Sequence, residues 1–544
     1  MFMPMRSSVA ALSLALLLAL AIGLAPSTRA TSPEAGWSVR VRMPDLEAGQ
    51  LQVEFGLPAA THGREPLSVC LFMEGAGRFV RDMRLGDAQS DAKIVADPDD
   101  GDCWNIHPSS QAVWPRAVGY RVDLKAMAAQ HGEPDYAEHI LATYVWNEQA
   151  VLLHPSPLPE HAPIQIELVL PPNTPLLVPW LELPAKAGSS SRFFRSDSAQ
   201  HDLGSYIVFG PRLRSLGTLG LPSGGAVASG HKEASARLSL VDLPHRASDD
   251  TLRAWMQGAL GAVSRFYGEL MPSEVAVTLV PMGGSSEPGI YGSVLRPLRP
   301  SAVIYFGAAS DRLNLHDDWL ATHELFHIGN PFIKGRLPWL IEGFTTYYQE
   351  VLRVRSGAVR REETWEDLQR MLGRYCQPQE GRSLAEDSRQ MRKTHRYQRV
   401  YWGGACVALG LDMAIRVRAR RASESGVAAR AEQGAAAGTG MELRSLDDAL
   451  RKLRRDSLRK PLTEDEVLAV LDAAAGERLA TRLVHETRSI PLADWLRKLG
   501  VRPRSDGAGR GGGVGSAWAA KAAASAGVVL DDTAPLAAIR RALF

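Results

Sequence analysis

One string in the chain combines residue types and spacing that could do hydrolytic chemistry. It is D-D-W-L-A-T-H-E-L-F-H-I-G-N, residues 317–330. Side chains four apart on a helix stack on one face, so His323 and His327 can aim two imidazoles at one ion. Glu324, beside the first of them, can reach a water on that ion. This is the H-E-x-x-H arrangement, in which two histidines hold zinc and the glutamate serves as general base. Zinc suits the site because imidazole nitrogen is a good ligand for it, and a catalytic zinc keeps three protein ligands and one open position. The third ligand has to come from elsewhere. Glu342 stands fifteen residues after His327, in L-P-W-L-I-E-G-F-T-T-Y-Y. An H-E-x-x-H string alone can arise on any amphipathic helix. The carboxylate on a second apolar segment completes a two-histidine, one-carboxylate set.

The elements that must position these groups can be read around them. Asp317 or Asp318 can accept the free N–H groups of the first helical turn. Trp319, Leu320, Leu325 and Phe326 supply packing, and Gly329-Asn330 ends the helix. Pro338 can open the second helix, with Trp339, Leu340, Phe344 and Tyr347 on its buried face. Before them, Leu252, Trp255, Met256, Ala259, Val263, Phe266, Tyr267 and Leu270 recur at helical spacing. Strands are expected at 275–280 and 302–306, and short helices at 446–453, 464–474 and 492–499. Residues 418–440, rich in Ala, Arg and Gly, read as an exposed insertion. Further upstream, 37–43, 51–55, 163–170 and 236–241 alternate apolar and polar residues between Pro, Gly and Asn clusters, the pattern of half-buried strands. The fold class expected is multidomain α+β. A β-sandwich-like domain at 31–243 precedes a mainly helical catalytic domain at 244–501, with a Gly/Ala-rich tail at 502–544 that shows no clear domain.

The whole chain sets the bounds. It has 544 residues, 45% hydrophobic and 22% charged, and Lys+Arg of 62 against Asp+Glu of 60 leaves a net charge of +2. That balance gives no reason to expect nucleic-acid or anionic-membrane binding. Arg6, the apolar run to Ala25 and the exit P-S-T-R-A read as a signal peptide at 1–30, implying a secreted or periplasmic protein. No second apolar stretch of spanning length is read downstream, so the mature chain is expected to make no stable membrane insertion. Sequence proximity among the four cysteines favours Cys70–Cys103 and Cys376–Cys406. Their spacings do not suit a cysteine zinc site.

H-E-L-F-H followed by P-W-L-I-E-G-F-T-T-Y-Y resembles the gluzincin metallopeptidases. Within them it is most similar to the glycyl aminopeptidase family and more distantly to the aminopeptidase N family. F-Y-G-E-L-M-P-S-E-V-A-V-T-L (266–279), V-Y-W-G-G-A-C-V-A-L (400–409) and S-L-D-D-A-L-R-K-L (445–453) extend the resemblance. It implies a thermolysin-like catalytic domain behind an N-terminal β domain, and a peptide or protein substrate. It also implies Zn2+ on His323, His327 and Glu342, with Glu324 as base and Tyr401 as oxyanion donor. The family's substrate segment before the metal helix corresponds to M-G-G-S-S-E-P-G-I-Y-G-S (282–293). Gly283, Gly284 and Glu287 are the candidates there, although the Glu-His pair usual in the family is absent. The Lys of the family's Y-Y-x-K-G-A segment is Gly403, and no C-terminal PDZ domain is visible. An aminopeptidase is therefore expected. The alternatives are a metallo-endopeptidase using the same site, and a non-catalytic zinc-binding protein that keeps the fold.

Overall fold

The structure, a computed structural model, describes residues 37–57, 66–86, 92–109, 114–131, 135–156, 161–184, 191–222, 234–424, 443–503 and 528–544. The signal-peptide segment 1–30 lies outside the described residues.

The alternating segments of the first half become strands because each has one face to bury. In Trp37–Arg42, Trp37, Val39 and Val41 are buried, whereas Ser38 and Arg42 face outward. This strand pairs antiparallel with Gln50–Gly56 and parallel with Pro163–Val169, inside a seven-stranded sheet. Two four-stranded sheets share the same core, to which they contribute Val69, Ile106, Tyr144, Trp146 and Phe209. Cys70 and Cys103 oppose each other across paired strands and are joined by a disulfide, as sequence proximity suggested. Thr143–Asn147 and Tyr206–Phe209 were invisible to a period-two reading. Each is buried along its whole length, so nothing alternates.

A five-stranded sheet follows, in the order Leu213–Gly220, Ser235–Val241, Glu274–Met282, Ser301–Gly307, Gly289–Leu295. The inner three run parallel and both edges are antiparallel. One face packs Val277, Leu279 and Ile304 against the helices. The other packs Val280, Val303 and Tyr305 against Val145, Tyr206 and Val208 of the preceding part. Burial on both faces explains why the central strands Glu274–Met282 and Ser301–Gly307 are apolar along most of their length. The expected boundary at 243/244 cuts this sheet: Leu213–Gly220 and Ser235–Val241 precede it yet pair into the same five strands. The seam falls after Tyr206–Phe209, because hydrogen bonding between strands, and not the change of periodicity, defines the unit.

The rest is mainly helical. Pro338–Arg355 and Tyr397–Glu424 cross closely, and the crossing requires glycine. A Cβ on Gly343 would sit 2.4 Å from the Gly404 Cα, and one on Gly404 would sit 2.2 Å from the Trp339 carbonyl oxygen. The E-G-F and W-G-G glycines therefore let one helix lay Tyr401 beside the other's Glu342. Contrary to expectation, Tyr397–Glu424 is long and apolar enough to cross a membrane, but 72% of its apolar window is buried inside the protein, as in a core helix. The insertion expected at 418–440 begins as the last turns of this helix, and 425–442 lie outside the described residues. Of the Gly/Ala-rich tail, residues 504–527 lie outside the described residues, and its end is folded. Val528–Leu530 pairs with Val501–Pro503, and Ala537–Leu543 is a helix that buries Ile539 and Leu543.

The disulfide Cys376–Cys406 ties the end of Arg361–Tyr375 to Tyr397–Glu424 across a sequence separation of 30. Closing a loop of that length restricts the unfolded chain, so the Cys376→Ala/Cys406→Ala pair is expected to lose about 3 kcal/mol. Denaturant unfolding of the two proteins checks this.

Candidate metal centre

The metal helix runs Leu320–Phe326 and continues as a 3-10 turn, His327–Gly329. Asp318, rather than Asp317, caps it. Its Oδ1 accepts from the Leu320 N–H at 3.1 Å and its Oδ2 from the Ala321 N–H at 2.8 Å, and the Trp255 indole donates to the same carboxylate. The helix lies under the edge strand Gly289–Leu295 and against Asp249–Tyr267 and Pro338–Arg355. Pro338 opens the second helix at its N-terminus, as read, and Glu342, four residues on at the start of the second turn, faces the histidines.

The three expected ligands converge. Atoms of His323, His327 and Glu342 lie within 4.8 Å of one another. Glu342 Oε2 is 3.4 Å from His323 Nε2 and 3.5 Å from His327 Nε2, and the two rings stand at 82°. Two imidazoles and a carboxylate, largely buried and aimed at one point, are a donor set that fits zinc. Each histidine has a partner on its other nitrogen: Gln349 Oε1 at 2.7 Å for His323 and the amide nitrogen Asn330 Nδ2 at 3.0 Å for His327. Such partners fix ring orientation at metal sites.

Electrostatics divide the two glutamates. Burial works to raise the Glu342 carboxyl, but the imidazoles of His327 and His323 outweigh it and hold the group well below the usual carboxylate range. Glu342 is thus ionised and ready as a ligand. Burial pushes the Glu324 carboxyl up to about 8, with His323 opposing and the charges of Glu342, Asp135 and Asp318 adding to the rise. Two carboxylates driven apart by their surroundings are what a ligand and a proton-transferring base require. Room for Glu324 comes from Gly292, where a Cβ would lie 2.4 Å from the Glu324 Cγ.

Tyr401 reaches the site. Its ring stacks on His323 with centroids 6.0 Å apart and planes at 11°. Burial and the charges of Glu342 and Glu324 raise its pKa, so it remains a hydroxyl donor. Gly283, Gly284 and Glu287 are not brought to the ligands. They occupy an exposed turn ahead of the edge strand, in which the backbone N–H of Glu287 bonds to Ser285. The strand residues at the site are Tyr291 and Gly292. Sequence reasoning missed Asp135, which the N-terminal part supplies. Its Oδ1 accepts from the Tyr291 hydroxyl at 2.6 Å and the Tyr206 hydroxyl at 3.3 Å, and its charge is felt by Glu324. No local signal marks it, since its partners lie 71 and 156 residues away.

A comparison with curated proteins finds no match. Residues 332–402, which hold Glu342 and Tyr401, match the model of the M61 glycyl aminopeptidase family. The structure is similar to that of an aminopeptidase N family protein from Idiomarina loihiensis, with a TM-score of 0.63 and 16% identity over 86% of this chain and 79% of that one. It is also similar to an M1 zinc metallopeptidase from Deinococcus radiodurans, with a TM-score of 0.50 and 12% identity over 82% and 92%. A mutant of the latter bound to a Tyr-Ser-Ala substrate gives 0.50 and 14% over 84% and 94%. At these identities the likeness is one of fold. The segment holding Glu342 and Tyr401 is thus similar to the M61 glycyl aminopeptidase family, and the fold is shared with an aminopeptidase N family protein.

Proposed function

We propose that this protein is an exported zinc aminopeptidase that hydrolyses the first peptide bond of a peptide substrate. The convergence of His323, His327 and Glu342, with Glu324 alongside, carries this reading. A zinc ion held by those three residues would supply Lewis acidity, to polarise the scissile carbonyl and ease deprotonation of a water. Glu324 takes the proton of that water and passes it to the leaving amine. The Tyr401 hydroxyl donates a hydrogen bond to the carbonyl oxygen as charge builds there, in the manner of an oxyanion-hole donor. Export rests on the leader-like segment at 1–30 and is tested by the N-terminal sequence of the mature protein. A mature chain that keeps residues 1–30 would reject it.

The aminopeptidase reading also needs an anchor for the substrate's amine. Glu287 lies in an exposed turn, whereas Asp135 offers a carboxylate already oriented by two tyrosine hydroxyls and felt electrostatically by Glu324. Losing a hydrogen bond to a charged group costs about 1.5–3 kcal/mol, so Asp135→Asn should lower kcat/KM for free peptides roughly 10- to 100-fold. N-acetylated peptides should be poor substrates of both proteins. Equal hydrolysis of blocked and free peptides would favour an endopeptidase on the same site.

A further inference from the structure

His323 presents Nε2 to the metal position and turns Nδ1 toward Gln349 Oε1, 2.7 Å away. A carboxamide is nearly symmetric in shape, so either of its ends could face the ring. Glu350 decides which one does. Gln349 Nε2 donates to Glu350 Oε1 at 2.9 Å. An ionised carboxylate only accepts, so the amide nitrogen is committed to Glu350 and the amide oxygen to His323. The oxygen in turn accepts from Nδ1–H. A neutral imidazole protonated at Nδ1 has its lone pair on Nε2, the atom that must ligate. Glu350 is itself held by Arg353 Nη1 at 3.3 Å, and Arg353 Nη2 donates at 2.6 Å to the carbonyl of Asp317, just before the capped start of the metal helix. His323, Gln349, Glu350 and Arg353 are 3%, 4%, 5% and 5% exposed, so water competes little for these bonds.

We propose that the Glu350–Arg353 pair is an orientation lock. It fixes the Gln349 amide, the amide fixes the tautomer of His323, and the tautomer frees Nε2 for the ion before the ion arrives. A carboxylate at position 349 would need no lock, because either oxygen accepts. With an amide there, the ligand's protonation depends on a residue that touches neither ion nor substrate. Gln349 and Glu350 are positioning residues in this scheme, which rests on the zinc-site reading above.

The consequence is specific. In Glu350→Gln, Arg353 claims the new amide's oxygen, and its NH2 faces Gln349. Gln349 then turns its own oxygen outward and presents NH2 to His323, which reverses the tautomer. The charge-swapped pair Gln349→Glu/Glu350→Gln restores an acceptor for Nδ1–H and keeps a donor between the two side chains. The full chain without metal is examined by 15N NMR of the histidine side chains, at a pH where the rings are neutral. Zinc affinity is measured separately by competition with a chromophoric chelator. Glu350→Gln should move the His323 proton to Nε2 and weaken zinc binding by about 10- to 100-fold. The double variant should recover both. A Glu350→Gln protein that folds with the wild-type tautomer and affinity overturns the lock, as does a folded double variant that fails to recover. A wild-type chain that binds no zinc, yet shows the tautomer reversal in Glu350→Gln, rejects the zinc reading and leaves the lock supported.

Discussion

Glu324→Gln is expected to bind zinc as the wild type does and to hydrolyse peptides about 100- to 10,000-fold more slowly, the usual worth of a positioned general base. The amide keeps the size of the side chain in the space left by Gly292, so the ligands are undisturbed. It cannot take a proton from water. Metal analysis and turnover on one preparation separate the two effects, and retained turnover would remove Glu324 from the mechanism. The same carboxyl sets a pH dependence in the metal-free protein. Its folded pKa of about 8 lies above the ordinary 4.5, so the folded state keeps a proton that the unfolded state has already lost. Stability is therefore full below about pH 4.5 and falls as pH rises toward 8. The side chain retains some exposure, so the loss is about 2–3 kcal/mol rather than the ~5 kcal/mol that the whole shift would imply. Glu324→Gln lacks this term, and the thermal midpoints of the two metal-free proteins should diverge across that window.

Glu342→Ala is expected to cost the protein its zinc. Binding to a three-ligand protein site of about 12 kcal/mol, shared evenly, makes each ligand worth about 4 kcal/mol, roughly a thousand-fold in affinity. Glu342 is no weaker than the mean, because it is the ionised ligand, held so by the two imidazoles 3.4 and 3.5 Å away. The chelator competition reads the loss directly, and activity should fall with metal content. Wild-type zinc affinity in Glu342→Ala would mean that the ion sits elsewhere. Glu342→Gln serves as the control for shape, since it keeps the side chain and removes the charge.

Much of the site was legible because its chemistry is local. His323, Glu324 and His327 are fixed by helical spacing, and Glu342 by the apolar helix that Pro338 opens. The long amphipathic helix Asp249–Tyr267 and the alternating strands of the first half were visible for the same reason: each buries one face, and a one-sided environment leaves a period in the sequence. Elements buried on both sides leave none, which is why Thr143–Asn147 and Tyr206–Phe209 went unread. Within the 282–293 segment, Gly283, Gly284 and Glu287 lie in an exposed turn, whereas Gly292 packs against Glu324. Gly283-Gly284 matched a familiar pattern of letters, whereas the glycine that makes room for the base is Gly292, and only the contact with Glu324 reveals it.

By itself, then, the sequence picked out the two-histidine, one-carboxylate cluster, the glutamate beside it and the broad α+β order, all of which follow from patterns a few residues long. Tertiary structure alone decided three further things. It placed the domain seam before Leu213, because strand pairing ignores the distance along the chain between partners. It set Asp135 of the N-terminal part on the hydroxyls of Tyr206 and Tyr291, where Glu324 feels its charge. It also set Gln349, Glu350 and Arg353 behind His323, where burial makes the orientation of one amide matter to a ligand.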